Sequence, residues 1–144
     1  MAEADPYREA VLRVQRALLA DRCTLYLVDH ERQEVASKVA LGLEIPEIRL
    51  PLNRGLVGYV ARTGKTVNLR DAYNDPRFDR SVDQRTGYRT KTILTMAVHD
   101  DARHVAGVLQ ALNKRAGLFT EGDEEAMQLG CDEVAQLLAR EAHA

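Results

Sequence analysis

Residues 70–91 concentrate groups suited to holding a small molecule. The stretch is rich in Asp and Arg, and Tyr73, Phe78 and Tyr88 lie among them with Pro76 and Gly87. No helical or strand period runs through it. About 20 irregular residues inside a compact domain are uncommon and often functional. Groups suited to covalent or metal chemistry are sparse. Cys23 and Cys131 both sit at apolar positions of periodic segments, which fits reduced, buried thiols. The two lie more than a hundred positions apart, without the close spacing that a redox pair wants. His99 and His104 flank Asp100-Asp101 in a turn pattern and read as solvated turn residues rather than metal ligands. No Ser/His/Asp set, carboxylate pair or lysine-bearing phosphate loop is present. The chemistry on offer is recognition; no catalyst, cofactor or metal is expected.

The elements that must position such a stretch fit one domain. The chain has 144 residues, 45% apolar and 29% charged, with a net charge of −2. That length supports a single core. The charge supplies no field for nucleic acid or an anionic membrane. No apolar run approaches the roughly 20 residues of a membrane span, and the start of the chain lacks the basic-then-apolar pattern of a signal peptide. A cytoplasmic protein is expected.

Asp5-Pro6 opens a helix over 6–20, with Tyr7, Ala10, Val11, Val14, Ala17 and Leu18 at helical spacing. Residues 23–28 and 35–41 read as paired strands, with a short strand near Ile48-Arg49-Leu50-Pro51-Leu52. Gly55 to Ala61 reads as a short helix stopped at Thr63-Gly64, and Thr66 to Leu69 as one more short strand. Two further strands run from Thr92 to Val98 and from His104 to Asn113. Thr120 caps a final helix over 120–142, with Glu121, Asp123 and Glu124 in its first turn. Its apolar stripe is Met127, Cys131, Val134 and Leu138, flanked by Leu129 and Leu137.

The central strands are apolar on both faces. Cys23, Leu25 and Leu27 oppose Tyr26 and Val28; Ile93 and Ala97 oppose Leu94, Met96 and Val98; Val105, Leu109 and Ala111 oppose Val108 and Leu112. Antiparallel sheets usually keep one wet face, so both faces here must be covered. The terminal helices cover one. The segment between Gly42 and Lys91 must cover the other, and an irregular, charged roof over an apolar sheet is a natural place for a pocket. Thr24 and Gln110 are polar exceptions on the strands and could face it.

The pattern then resembles a known family. Ile48-Arg49-Leu50-Pro51, Gly55-Leu56-Val57-Gly58-Tyr59-Val60-Ala61 and Thr63-Gly64 look like a GAF domain. Asn68-Leu69-Arg70-Asp71-Ala72-Tyr73, Asp75-Pro76-Arg77-Phe78 and the run from Val82 to Thr90 resemble more particularly the GAF domains of cyclic-nucleotide phosphodiesterases and related adenylyl cyclases. Asn113-Lys114, Phe119 and Asp123-Glu124 match the spacing of the signature of those domains. The resemblance covers nearly the whole chain. It implies an α+β fold of residues 1–144: a central antiparallel sheet of about six strands, with sheet and roof spanning 23–113. Terminal helices lie on one face, and ligand-covering loops and short helices on the other.

The same resemblance implies a sensor rather than an enzyme. It would bind a small molecule, a cyclic nucleotide such as cyclic AMP or cyclic GMP, form a homodimer through its terminal helices, and relay binding to an attached or partner signalling domain. The alternative is a dimerisation and relay module whose site is vestigial or takes a different ligand. Residue by residue, the backbone at Leu56 and Val57 would meet the cyclic phosphate, since helix-start N–H groups are unpaired donors with a dipole that favours anions. Asp83, Thr86 and Thr90 match roof contacts, Thr24 a strand position near the base, and Gln110 a sheet position that reaches the purine. The pattern departs at Ala40, where binders often carry a stacking aromatic, at Leu41, often acidic, and at Asp79, a carboxylate near the expected phosphate. Either Tyr73 or Tyr88 supplies the missing stacking face, or the ligand is not a purine nucleotide. The signature Asn113, Lys114, Phe119, Asp123 and Glu124 reads as structural, with a Lys114–Asp123 ion pair fixing a strand–helix junction.

Overall fold

The computed structural model describes residues 5–42 and 47–143. Helix α1 spans Pro6–Leu18, and the Asp5 side chain accepts hydrogen bonds from the backbone N–H groups of Tyr7 and Arg8. Six strands follow: β1 (Ala20–Asp29), β2 (Glu34–Leu41), β3 (Arg49–Pro51), β4 (Val67–Leu69), β5 (Ile93–His99) and β6 (Val105–Lys114). Between them lie α2 (Gly55–Thr63), a 3-10 turn (Ala72–Asn74) and α3 (Ser81–Thr86), and α4 (Glu121–Ala142) closes the chain. The strands form one antiparallel sheet in the order β3-β2-β1-β6-β5-β4.

Both faces of this sheet are buried. On one, Val11, Val14 and Leu18 of α1 and Met127, Cys131 and Val134 of α4 pack on Cys23, Leu25, Leu94, Met96, Val98 and Leu109. On the other, Leu56, Val57 and Val60 of α2, with Ala72, pack on Tyr26, Ile93, Ala97 and Val108. Alternate residues of each central strand therefore serve opposite cores, as the apolar pattern requires.

The differences from the expected elements have local causes. The first helix stops at Leu18 rather than 20, because Leu19 turns left-handed (φ 54) and sends Ala20 straight into β1. The sheet accordingly runs from 20 to 114. Val105 lies against the α2 side, not with Leu109 and Ala111. The β5–β6 register shifts between Val98 and His99, and one extra residue reverses which face a strand position serves. Leu129 points to solvent at 71% exposure, so it does not flank the buried stripe of α4, and Ala17 is exposed too. The stretch 70–91 is not wholly irregular: it contains the 3-10 turn and α3.

Helices α1 and α4 meet at Gly130, where a Cβ would run into Val14 Cγ2. Val14 is β-branched and held in a helix, so its side chain has little freedom to withdraw. Gly130→Ala is expected to destabilise by about 1–3 kcal/mol through overpacking, although alanine is the better helix former. Adding Val14→Ala should recover part of that loss in urea melts; a neutral or stabilising Gly130→Ala would mean that the helices do not touch there.

Candidate functional site

A cavity of about 60 Å³ lies between the sheet and the segment that covers it. Its floor is Arg22, Thr24 and Tyr26 of β1 with Gln110 and Leu112 of β6; its walls are Ile48, Leu50, Pro51 and the start of α2; its roof is Phe78, Asp79, Val82, Asp83 and Thr90. Arg22, Thr24 and Tyr26 alternate along one strand and so share a face.

Helix α2 opens on Arg54 and Gly55 with no side chain capping it. Gly55 has φ +77, a conformation glycine adopts without strain. The first-turn amides of α2 therefore keep their donors for something else, and the helix dipole favours an anion there. Arg54 lines the cavity beside them and has no ion-pair partner among the described residues. The helix is seated close to the chain before it: a Cβ on Gly58 would come 2.7 Å from the Leu52 carbonyl oxygen.

The roof is cross-linked by Asp83, which is 6% exposed. Its carboxylate accepts from the Thr90 N–H (2.8 Å), the Thr90 hydroxyl (2.9 Å) and the Tyr73 hydroxyl (2.8 Å). The bond to Asp83 raises the Tyr73 phenol above its ordinary value. Tyr73 lies between the guanidinium groups of Arg80 and Arg89, 4.5 and 4.6 Å from its ring centroid, and packs against Phe78 at 5.5 Å. Asp79 accepts from the Ser81 N–H at 2.8 Å, which occupies one of its oxygens at the entry to α3. Arg22 stacks on Tyr88 at 3.4 Å, and the Tyr88 hydroxyl donates to Asp21 at 2.6 Å. Burial and that carboxylate raise the Tyr88 pKa.

A GAF family model matches residues 5–138. The chain is a GAF domain. Two curated relatives of this GAF domain are each 39% identical to it: a dual 3',5'-cyclic-AMP and -GMP phosphodiesterase 11A from Takifugu rubripes over 123 residues, and a probable 3',5'-cyclic phosphodiesterase from Caenorhabditis elegans over 127 residues. These alignments cover 76% and 80% of this chain but only 14% and 17% of the relatives. The match is to their GAF portion, and no catalytic domain is shown. Among solved structures, the GAF domain of an Acinetobacter phosphoenolpyruvate-protein phosphotransferase is 26% identical with a TM-score of 0.80, over 96% of this chain and 85% of that one.

Within this GAF domain the residues singled out from sequence divide into two sets. Thr24, Leu56, Val57, Asp83, Thr90 and Gln110 line the cavity. Tyr73, Thr86 and Tyr88 do not. Tyr73 braces Asp83 from outside, the Thr86 hydroxyl donates to the Val82 carbonyl within α3, and Tyr88 covers Arg22. None of the three supplies a stacking face in the cavity, and Ala40 does not line it either. Arg22 and Arg54 were not anticipated. Arg22 precedes Thr24 by two residues, so strand alternation was signal enough for it; Arg54 becomes visible only once the start of α2 is placed.

The signature residues sit outside the cavity. Lys114 Nζ donates to Asp123 Oδ2 at 2.7 Å and to the Leu18 carbonyl at 3.1 Å. Thr120 and Asp123 form a reciprocal capping box. Phe119 is buried beneath the Lys114 ammonium, 5.9 Å from its ring centroid, and Glu124 accepts from the Asn68 amide at 3.4 Å. Asn113 accepts from the Lys91 and Thr92 N–H groups and donates to the Tyr88 hydroxyl and the Arg89 carbonyl. Cys23 and Cys131 are free and buried on the opposite face of the sheet. Burial pushes the Cys131 thiol up to about 12, with Asp132 adding to it, and raises Cys23 further. Neither is a nucleophile at neutral pH.

Proposed function

We propose that this GAF domain is a non-catalytic regulatory module that binds a 3',5'-cyclic nucleotide between sheet and roof and relays binding to an attached signalling domain or a partner subunit. The observation that carries the reading is the cavity itself. It has a helix start without a side-chain cap and the Arg54 guanidinium at one side, suited to a phosphate, and the polar side chains of Thr24 and Gln110 on its floor, suited to a base. The phosphodiesterase relatives support the same ligand class. No helix among the described residues is long and apolar enough to cross a membrane, which fits a cytoplasmic setting, and α1 with α4 offers a paired-helix surface for a homodimer.

The cavity of about 60 Å³ is far below the roughly 300–1,000 Å³ of ordinary ligand sites. A nucleotide enters only if Phe78, Val82 and the rest of the roof move outward, and such movement is what a relay requires. The same smallness, with Ala40 in place of a stacking ring, favours the second reading: a dimerisation and relay module with a vestigial site. Thermal melts decide between them. Cyclic AMP or cyclic GMP at about 100 times its dissociation constant should stabilise the domain by about 2.7 kcal/mol, a shift of several degrees. No shift with either nucleotide at millimolar concentration leaves the vestigial reading standing and removes the first.

A further inference from the structure

Two carboxylates line the cavity from the roof, Asp79 and Asp83. They differ in what holds them. Asp83 accepts from three donors, the Thr90 N–H, the Thr90 hydroxyl and the Tyr73 hydroxyl. Asp79 accepts from one, the Ser81 N–H, through Oδ1. Among the described residues no cation pairs with Asp79. It stands against the start of α2: a Cβ on Gly55, the first residue of that helix, would lie 3.5 Å from the Asp79 Cβ. Among the described residues no hydrogen bond joins its carboxylate to the α2 amides. A negative charge therefore neighbours the place suited to an anion without filling it.

The charges at that end of the cavity nearly cancel. A helix start carries about half a positive charge, Arg54 adds one, and Asp79 takes one away. Arg22 and Asp83, the other charged groups lining the cavity, are opposite in sign. Such a field suits one negative charge and little more. A 3',5'-cyclic phosphodiester is a monoanion, whereas a phosphate monoester carries about −1.5 to −2 at neutral pH. Repulsion from a fixed carboxylate grows with the charge of the ligand. Asp79 therefore penalises an open 5'-monophosphate more than the cyclic phosphate of the same nucleoside, and specificity built on repulsion needs no added contact.

We propose that Asp79 is the specificity-determining residue that makes the site select a cyclic phosphate over the corresponding 5'-monophosphate, by opposing the second negative charge. This rests on the cyclic-nucleotide reading above. Calorimetric titration of the intact 144-residue chain at neutral pH with cyclic AMP, cyclic GMP and their 5'-monophosphates tests it. The readout is the ratio of cyclic to linear affinity for one base, in which the base and ribose cancel. The wild-type domain should favour the cyclic form. Asp79→Asn and Asp79→Ser remove the charge and keep an oxygen for the Ser81 N–H. Whichever folds should gain affinity for the 5'-monophosphate and lower the ratio by about threefold to tenfold, the effect of one unit charge a few ångströms away near water. Asp79→Glu keeps the charge and should keep the ratio. A wild-type domain that takes both forms equally overturns the proposal while the function stands. So does an unchanged ratio in the neutral variants, or a ratio that falls as far in Asp79→Glu, which would trace the effect to shape. Binding seen only after neutralisation overturns it too, because a carboxylate that blocks both ligands selects neither. No binding of any nucleotide to wild type or variant overturns the function and the selectivity with it.

Discussion

Replacing Asp123 by alanine is expected to lower the stability of the domain by about 3–5 kcal/mol, the cost of leaving one member of a buried ion pair without its partner. Lys114 and Asp123 have side chains only 14% and 9% exposed, so solvent cannot take over either charge. Asp123 also accepts from the Thr120 N–H at 2.8 Å, and Lys114 also holds the last carbonyl of α1. One carboxylate thus ties the start of α4, the end of β6 and the end of α1 together. Loss of the cap alone costs about 0.5–2 kcal/mol, and because both losses fall on one network they will not simply add. The melting temperature should fall by about 10 °C or more. Lys114→Met, which keeps the stem and leaves the capping box, should cost less, and a double-mutant cycle should return a coupling of about 1–3 kcal/mol. A drop below about 1 kcal/mol for Asp123→Ala would show the pair to be effectively solvated.

The pH dependence follows from the same contacts. Burial would raise the Asp123 carboxyl, but the Lys114 and Thr120 hydrogen bonds outweigh it and hold it below its ordinary range. A carboxyl depressed on folding stabilises fully above its unfolded pKa of about 3.9 and loses that stability as pH falls through the folded value. Asp123→Asn should therefore show a shallower acid limb than the wild-type domain.

Much of this was legible in the sequence because apolar pattern is a strong constraint. Tyr26 and Val28 against Cys23 and Leu25 demanded two covers for one sheet, and terminal helices with a central roof are the way the chain meets that demand. The Lys114–Asp123 pair was legible too, since a strand end and a helix first turn so close in sequence must meet. What escaped was local geometry. Val105 changed faces because a bulge adds a residue that no composition signals. Leu19 ended the first helix through a left-handed turn that leucine rarely adopts. Tyr73 and Tyr88 look like stacking platforms in a sequence, but neighbouring arginines hold them on the outside of the roof.

Asp83→Ala is expected to open the roof without dissolving the sheet. The substitution removes three acceptor contacts at once and strands the N–H of Thr90, a residue 1% exposed, in a dry site. Hydrogen bonds to a charged group contribute about 1.5–3 kcal/mol each, and shared contacts do not sum. A loss of about 2–4 kcal/mol is expected on that basis. Its distribution matters more than its size. Besides the Tyr88 contacts to Asp21 and Arg22 of β1, the roof is tied to β6 at Asn113, whose side chain bridges Tyr88, Arg89, Lys91 and Thr92. The next residue, Lys114, carries the junction of α1 and α4. A roof freed at Asp83 but still tethered at Asn113 should exchange its amide hydrogens faster across 72–90, while amides of β1 and β6 stay protected. In that case the roof is a separate cooperative unit whose position can be felt by the terminal helices through two adjacent residues of one strand. Exchange that rises equally in roof and sheet would mean that the roof cannot move alone, and a ligand beneath it would have no independent element to displace.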